Sequence, residues 1–322
     1  MTLDFEYNKA LIDVLNNKIP KKSDQMSLIL EKMPIGREAA YRRLRGDVPF
    51  SFAEACILSK ELNVSLDKIA TTGTLNNPVY ELKISPSDLI NYEYHKLFEH
   101  EASFDMLLSD SVVCIQSVCS TIPYSFFFSY KHLSKYRMFR WKYQMNKSLT
   151  PIKLSDIVIP PEIIERQKAL GKKVMQMPET ILIFDNYIFF NFIHEVRFFY
   201  NLGLITDDEY VEIKEELVEL IKSLENVANQ GKNDKGVKAW MYISNIKIDS
   251  NYTYVQGVDF ECAYMDGIYL MDTLYSCDSQ ICQIHKLWID TLRKYSVLIS
   301  VSDEAERKSF FKLQKEMILN LE

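Results

Sequence analysis

A small all-α N-terminal domain followed by a larger mixed domain, helical in its first part and an α+β antiparallel sheet in its second, is the fold class that the sequence predicts. Three observations predict it. Five short helical segments with their own start and stop signals crowd into residues 1–72, a polar, turn-rich stretch follows, and from Val237 the apolar pattern changes from helical spacing to alternation. At 322 residues, 47% hydrophobic and 25% charged, the chain is large enough to bury two cores.

The N-terminal elements follow in order. Phe5, Ala10, Leu11, Val14 and Leu15 recur near helical spacing, so residues 3–16 read as a helix ended by Pro20. Ser23 reads as the cap of a second helix, 24–33, with Met26, Ile29, Leu30 and Met33 inward, and Pro34 breaks it. A third helix, from about Gly36 to Arg45, stops at Gly46, the residue type that turns left-handed past a helix end. Ser51-Phe-Ala-Glu54 has the pattern of a capping box and opens a helix to Leu62; Ser65 caps a short fifth helix through Ile69.

Charge divides the chain unevenly. The formal net charge is -6, yet residues 1–72 hold 11 Lys+Arg against 10 Asp+Glu, which leaves 27 against 34 for residues 73–322. Within the first part, residues 17–46 carry eight cations and three acids, a local excess that suits a polyanion. Turned at 100° per residue, the third helix gathers Arg37, Glu38, Tyr41, Arg42 and Arg45 into one arc of roughly 140° and puts Ala40 and Leu44 on the other side. Arginine donates paired hydrogen bonds to guanine or grips phosphate, the chemistry of a helix in a major groove.

The run Ile35-Gly-Arg-Glu-Ala-Ala-Tyr-Arg-Arg-Leu-Arg-Gly46, then Pro49-Phe-Ser51 and Leu62-Asn-Val-Ser-Leu-Asp67, resembles the Cro/C1-type helix-turn-helix domain of phage repressors and related bacterial regulators. The resemblance covers residues 5–70 and implies a sequence-specific, double-stranded-DNA-binding transcription regulator whose third helix reads DNA. Arg37, Glu38 and Tyr41 are then expected at base edges, with Arg42 and Arg45 nearer phosphates; Lys32 completes the candidate set. One departure stands out. Pro34 occupies the turn where the family usually has glycine, and proline cannot adopt positive φ, so a turn of different shape is expected. The alternatives are a protein-interaction module that has kept the helices without binding DNA, and an enzyme fused to a DNA-targeting domain.

Residues 73–85 read as a linker, 86–236 as a mainly helical region and 237–322 as an α+β sheet region joined to it in one C-terminal unit. Pro86 to about Met106 is helical in pattern. Residues 111–153 contain no acid, while Lys131, Lys135, Arg137, Arg140, Lys142, Lys147 and Lys153 stand among aromatics, which reads as core plus a solvated cationic face and a candidate second contact with the DNA backbone. Residues 189–201 and a helix opened by Thr206-Asp-Asp-Glu209 form a helical hairpin. Tyr210, Ile213, Leu217, Leu220, Leu224 and Val227 follow steps of three and four, and this stripe is the expected seam of a homodimer if it is not spent on internal packing.

Beyond Val237, Trp240, Tyr242, Ile246 and Ile248 alternate with polar residues, Tyr252 to Cys262 alternates again, and Asp266-Gly267 reads as a hairpin turn. A helix follows with Ile281, Ile284, Trp288 and Thr291 inward, then a strand 296–302 and a last helix to Leu321. Aromatic strand faces (Trp240, Tyr242, Tyr252, Tyr254) beside Trp288 are candidates to line a pocket for an unidentified small-molecule effector.

Other classes are expected to be absent. No Gly-x-Gly occurs, and in Gly231-Lys-Asn-Asp-Lys-Gly236 the lysine of a phosphate loop is replaced by Val237. The apolar runs 111–130 and 181–193 are broken by Gln116 and Asp185, which argues against a membrane span, and the N-terminal residues lack signal-peptide character, so a cytoplasmic protein is expected. Its six cysteines are then expected reduced, with the 114/119 and 277/282 pairs acting as small hydrophobes. His194-Glu195 lacks a second histidine, and Asp259 and Glu261 read as a hydrated strand face, so no catalytic residue, metal or cofactor is assigned.

Overall fold

Residues 3–71, 79–83, 89–110, 112–148, 150–177, 179–233, 235–268 and 272–320 are described by the computed structural model. The chain divides into two units, Met1–Val79 and Tyr80–Glu322. The first holds α1 (Leu3–Lys18), α2 (Lys22–Lys32), α3 (Arg37–Leu44), α4 (Phe52–Leu62) and α5 (Leu66–Thr71). Leu11, Leu15, Ile29, Met33, Ala40, Leu58, Leu62 and Ile69 form its core.

Capping explains most of these boundaries. Ser51 Oγ accepts the Glu54 amide and the Glu54 carboxylate accepts the Ser51 amide at 2.8 Å, closing the expected box. Ser65 Oγ accepts the Asp67 amide. Gly46 takes φ +81° past α3, and Asn63 takes the left-handed conformation past α4, a role asparagine tolerates. Ser23 does not cap α2: the helix starts at Lys22, one residue ahead of it, without a side-chain cap. Leu30 is exposed instead of inward, and Gln25 is buried, its amide donating to Ile19 O at 2.6 Å and Asn16 Oδ1 at 3.1 Å.

The second unit is built on one eight-stranded sheet: β1 (Glu81–Lys83), β2 (Cys114–Cys119), β3 (Glu179–Asp185), β4 (Lys238–Ser244), β5 (Asn251–Gln256), β6 (Glu261–Ile268), β7 (Asp272–Ser276) and β8 (Ser296–Leu298), in the order β1-β7-β6-β5-β2-β3-β4-β8. The sheet is mixed, not antiparallel as expected: β2, β3 and β4 run parallel at its centre. Parallel neighbours need crossover connections, and α6 (Leu89–Ser109), α7 (Lys131–Met145), α8 (Pro161–Val174), α9 (Ile188–Asn201) and α10 (Asp207–Gln230) include those crossovers. Residues 86–236 therefore supply two central strands besides their helices. Of the expected linker 73–85, Glu81–Lys83 is an edge strand paired with β7, and residues 73–78 and 84–85 lie outside the described residues.

One sheet face, with Cys119, Leu182, Phe184, Ala239, Met241 and Ile243, packs under α7, α9, α10 and α12 (Glu304–Leu319) in the main core. The stripe of α10 is inside that core, Leu217 fully buried, so its three-and-four spacing serves internal packing and offers no dimer seam. On the other face, Val118, Ile183, Tyr254 and Ala263, joined by Tyr242 and Tyr252, pack against Ile281, Cys282 and Ile289 of α11 (Ser279–Lys294). That contact overturns two expectations. The aromatic strand face is covered by aliphatic side chains of α11, and Ile284 and Trp288 point outward, so they do not form a pocket together.

Three smaller differences follow from pairing. Gly267, φ +83°, sits at a register shift inside β6, so Asp266-Gly267 is a bulge and not the expected hairpin turn; residues 269–271 lie outside the described residues. The last strand ends at Leu298, short of the expected Ser302. Cys262 and Cys277 are joined by a disulfide, in place of the expected thiols, because they face each other on β6 and just past β7 with Cα atoms 4.4 Å apart. Cys56, Cys114, Cys119 and Cys282 are free. No helix among the described residues is long and apolar enough to cross a membrane.

Candidate nucleic-acid interface

The connection from α2 to α3 is the four residues Met33–Gly36. Met33 is extended (φ -121°, ψ 140°) and Gly36 enters α3 at φ -75°, so the turn is made without a left-handed residue and Pro34 fits it. Met33 and Ile29 anchor its start, and Ala40 is buried on the inner side of α3.

Arg43 fastens the C-terminal end of α3. Its Nε donates to Glu54 Oε2 at 2.8 Å, and Glu54 is the same carboxylate that accepts the Ser51 amide. Burial alone would raise the Glu54 carboxyl, yet the hydrogen bonds from Arg43 and Ser51 and the guanidinium charge together hold it below its ordinary value. The charge of Arg43 is thus answered inside the unit, and it ties α3 to the first turn of α4.

The opposite side of α3 is open. Arg37, Glu38, Tyr41, Arg42 and Arg45 are all exposed, which is the arc read from the sequence. Arg37 and Arg42 have no ion pair or side-chain hydrogen bond among the described residues. Arg45 is different: Nη2 lies 2.5 Å from Asp47 Oδ2, and its guanidinium stands 4.9 Å from the centre of the Tyr41 ring. Lys32 is also engaged, 3.1 Å from Glu31 and 3.5 Å from Glu61. The hydrogen bond and charge of Glu31, then those of Glu61, raise its ammonium above the ordinary value. The six expected residues therefore fall into a free group around Arg37 and Arg42 and a partnered group, Arg45 and Lys32.

Phe52 was not anticipated. It is 81% exposed at the first turn of α4, and the run Val-Pro-Phe-Ser-Phe carried no signal for which phenylalanine faces out; Phe50 packs on the core.

The second basic run is built otherwise. On α7, Lys135 reaches Glu209 at 3.0 Å, Arg140 reaches Glu195 at 2.5 Å, and His132 lies 3.0 Å from both Glu212 and Glu216. The Arg137 guanidinium covers the Tyr124 ring at 3.4 Å. These carboxylates come from α9 and α10, so Lys135 and Arg140 are docked on acidic helices of the same unit, while Lys131, Lys147 and Lys153 meet solvent as expected. Glu195 also accepts the Tyr136 hydroxyl, and Glu261 accepts the Tyr254 hydroxyl, both at 2.9 Å. No group of three His, Cys, Asp or Glu suited to a metal occurs among the described residues. Compared with protein-family models, curated proteins and solved structures, the chain matches none.

Proposed function

We propose that residues 3–71 form a helix-turn-helix domain of the Cro/C1 type that binds double-stranded DNA in a sequence-specific way, and that the protein is a transcription regulator. The observation that carries this reading is the division of α3: one side is closed by Ala40 and the Arg43–Glu54 pair, and the other presents Arg37 and Arg42 without intramolecular partners beside Glu38 and Tyr41. A rigid helix with free guanidinium groups on one arc is the arrangement that reads base edges in a major groove. Arg37, Glu38 and Tyr41 are assigned to bases and Arg42 to phosphate; Arg45, held by Asp47, contributes to phosphate contact on exchanging that partner.

The test is recovery of genomic fragments by the immobilised intact protein. Enrichment of one short motif, lost in Arg37→Ala, supports the reading; recovery without a motif, or none, refutes it. The exposed rings of Tyr41 and Phe52 favour a second reading, in which the same face takes a protein partner. Salt separates the two, since each phosphate contact releases counterions and steepens the fall of affinity with salt, by a slope of about -0.9 per neutralised phosphate.

A further inference from the structure

One pair of cysteines is joined where a strand ladder stops. β6 and β7 pair as far as Ala263 and Ser276, and Cys262 and Cys277 are the next opposed positions, with Cα atoms 4.4 Å apart. That is the spacing of an antiparallel pair without backbone hydrogen bonds, so the sulfur bond closes the rung. Its two ends differ. Cys262 is buried, whereas Cys277 is exposed and lines an open concavity with Val258, Asp259, Phe260 and Glu261. Directly after Cys277 the chain enters α11. Asp278 caps that helix by accepting the Gln280 and Ile281 amides. Ser276 holds the joint from the strand side: its Oγ accepts the Asp278 amide, and its carbonyl accepts the Cys282 thiol at 3.7 Å. The disulfide therefore fastens the end of β7 and the start of α11 to β6. Cys282 stays out of exchange, because burial, then the charges of Glu261 and Asp278, push its thiol up to about 12, and the thiolate is the nucleophile.

We propose that Cys262–Cys277 is an exchangeable redox couple whose reactive end is Cys277, opened by a small thiol that carries no negative charge beyond its sulfur. A thiolate attacks the exposed Cys277 Sγ. The S–S bond breaks, its electron pair leaves on Cys262 Sγ, which takes up a proton, and Cys277 carries the mixed disulfide. A second thiolate attacks the small molecule's sulfur, and Cys277 leaves as a thiolate and is protonated. The couple gains two electrons and two protons, and two small thiols become one small disulfide; an oxidised small disulfide drives the same steps in reverse. The charge preference comes from the surroundings of the attacked sulfur. Asp259 and Glu261 line the concavity and Asp278 follows Cys277 in the chain, against one cation at the edge, Lys286, which donates to Gln256 Oε1 at 3.4 Å. A second negative charge on the incoming molecule is repelled there. The couple lies in the unit Tyr80–Glu322 and does not rest on the DNA reading.

Thiol exchange in the native full-length protein tests the proposal. Without denaturant, the chain oxidised with cystamine is expected to take 2-mercaptoethanol as an adduct that mass spectrometry after acid quench maps to Cys277. Dithiothreitol is expected to open the bond fully, and cystamine to close it again. 2-Mercaptoethanesulfonate, which adds a negative charge to the same kind of thiol, is expected to react about 3- to 10-fold more slowly at low salt, and the gap to shrink as salt rises. Asp259→Lys is expected to narrow that gap, and Cys282→Ser to leave the exchange unchanged. Opening is expected to speed amide exchange in the first turn of α11 about 10-fold. It is also expected to lower the melting midpoint by about 5 to 10 °C, because the bond closes a loop across a sequence separation of 15. A chain that keeps six free thiols in cystamine, a bond that opens only in denaturant, an adduct on Cys262, or equal rates for the two thiols overturns the proposal. Unchanged amide exchange in α11 on opening overturns its role as a clamp.

Discussion

The helices α3 and α7 look alike as sequence and differ as surface. Each is rich in Lys and Arg, and each reads as a cationic face. On α3, Arg37 and Arg42 project without partners, and on α7, Lys135, Arg140 and His132 are met by Glu209, Glu195, Glu212 and Glu216. The carboxylates that answer α7 lie between 55 and 84 residues away along the chain (195 minus 140, and 216 minus 132). The charge of a run is therefore a property of its element only until the fold supplies a counterpart. A basic segment is available to a polyanion only where the rest of the molecule leaves it unanswered.

The largest effect that would test this difference lies on α10. Glu216 accepts the backbone amides of His132 and Leu133 at 2.7 and 2.9 Å and the His132 ring at 3.0 Å, so it caps α7 from another helix. Glu216→Ala is expected to cost about 2 to 3 kcal/mol, because it removes a cap and a charge-assisted hydrogen bond together. Thermal and urea unfolding measure it, and an unchanged midpoint would show that α7 does not need its acidic neighbour. Next is Arg37→Ala, expected to cost ~1 to 3 kcal/mol in binding to the enriched motif and to relax preference at one base pair; competition with motif variants reads both.

A pH dependence is expected on the sheet face under α11. Burial lowers the His285 imidazole below its ordinary value, against a smaller opposing influence from a hydrogen bond to the Tyr264 backbone. The unfolded chain then binds the proton first, so as pH falls below about 6.5 the unfolded state gains protons that the folded state refuses, and stability drops. His285→Gln is expected to lose less stability than wild type between neutral and mildly acid pH, read from urea midpoints; equal losses would assign the effect to other groups. The smallest expected effect is on α7 itself. Lys135→Ala should leave DNA affinity and its salt slope unchanged and cost at most ~1 kcal/mol of stability, since its charge is spent on Glu209. A reduced salt slope would return α7 to the proposed DNA interface.

Local signals carried much of the fold. Ser51 with Glu54 and Thr206 with Glu209 are capping boxes in both sequence and structure, because both partners lie within four residues. The exposed arc of α3 was legible for a similar reason: one buried alanine and a helical period determine which side faces out. Pairings across distance were not. Lys32 meets Glu61 and Arg43 meets Glu54 only after α2, α3 and α4 pack. The central strands β2 and β3 hid in apolar runs, since strands covered on both faces lose the alternation that marks a half-buried strand. On α11 the sequence held two apolar arcs, and the fold buried the one with His285 and Cys282 and left Trp288 outside. Nothing in the spacing ranks a histidine and a cysteine above a tryptophan for the inside.

The strand order also sets a timetable for synthesis. β2 pairs with β5 on one side, Cys114 opposite Gln256, so 142 residues (256 minus 114) are added between the two partners. At ~5 to 20 residues per second that interval is about 7 to 30 seconds, during which a strand that will be central has an unmatched edge. The helices of the first unit close their core within 71 residues and have no such wait. Nascent chains halted between Asp185 and Asn251, with β3 made and β5 not, are thus the species in which the exposed edge of β2 is most open to pairing with another chain.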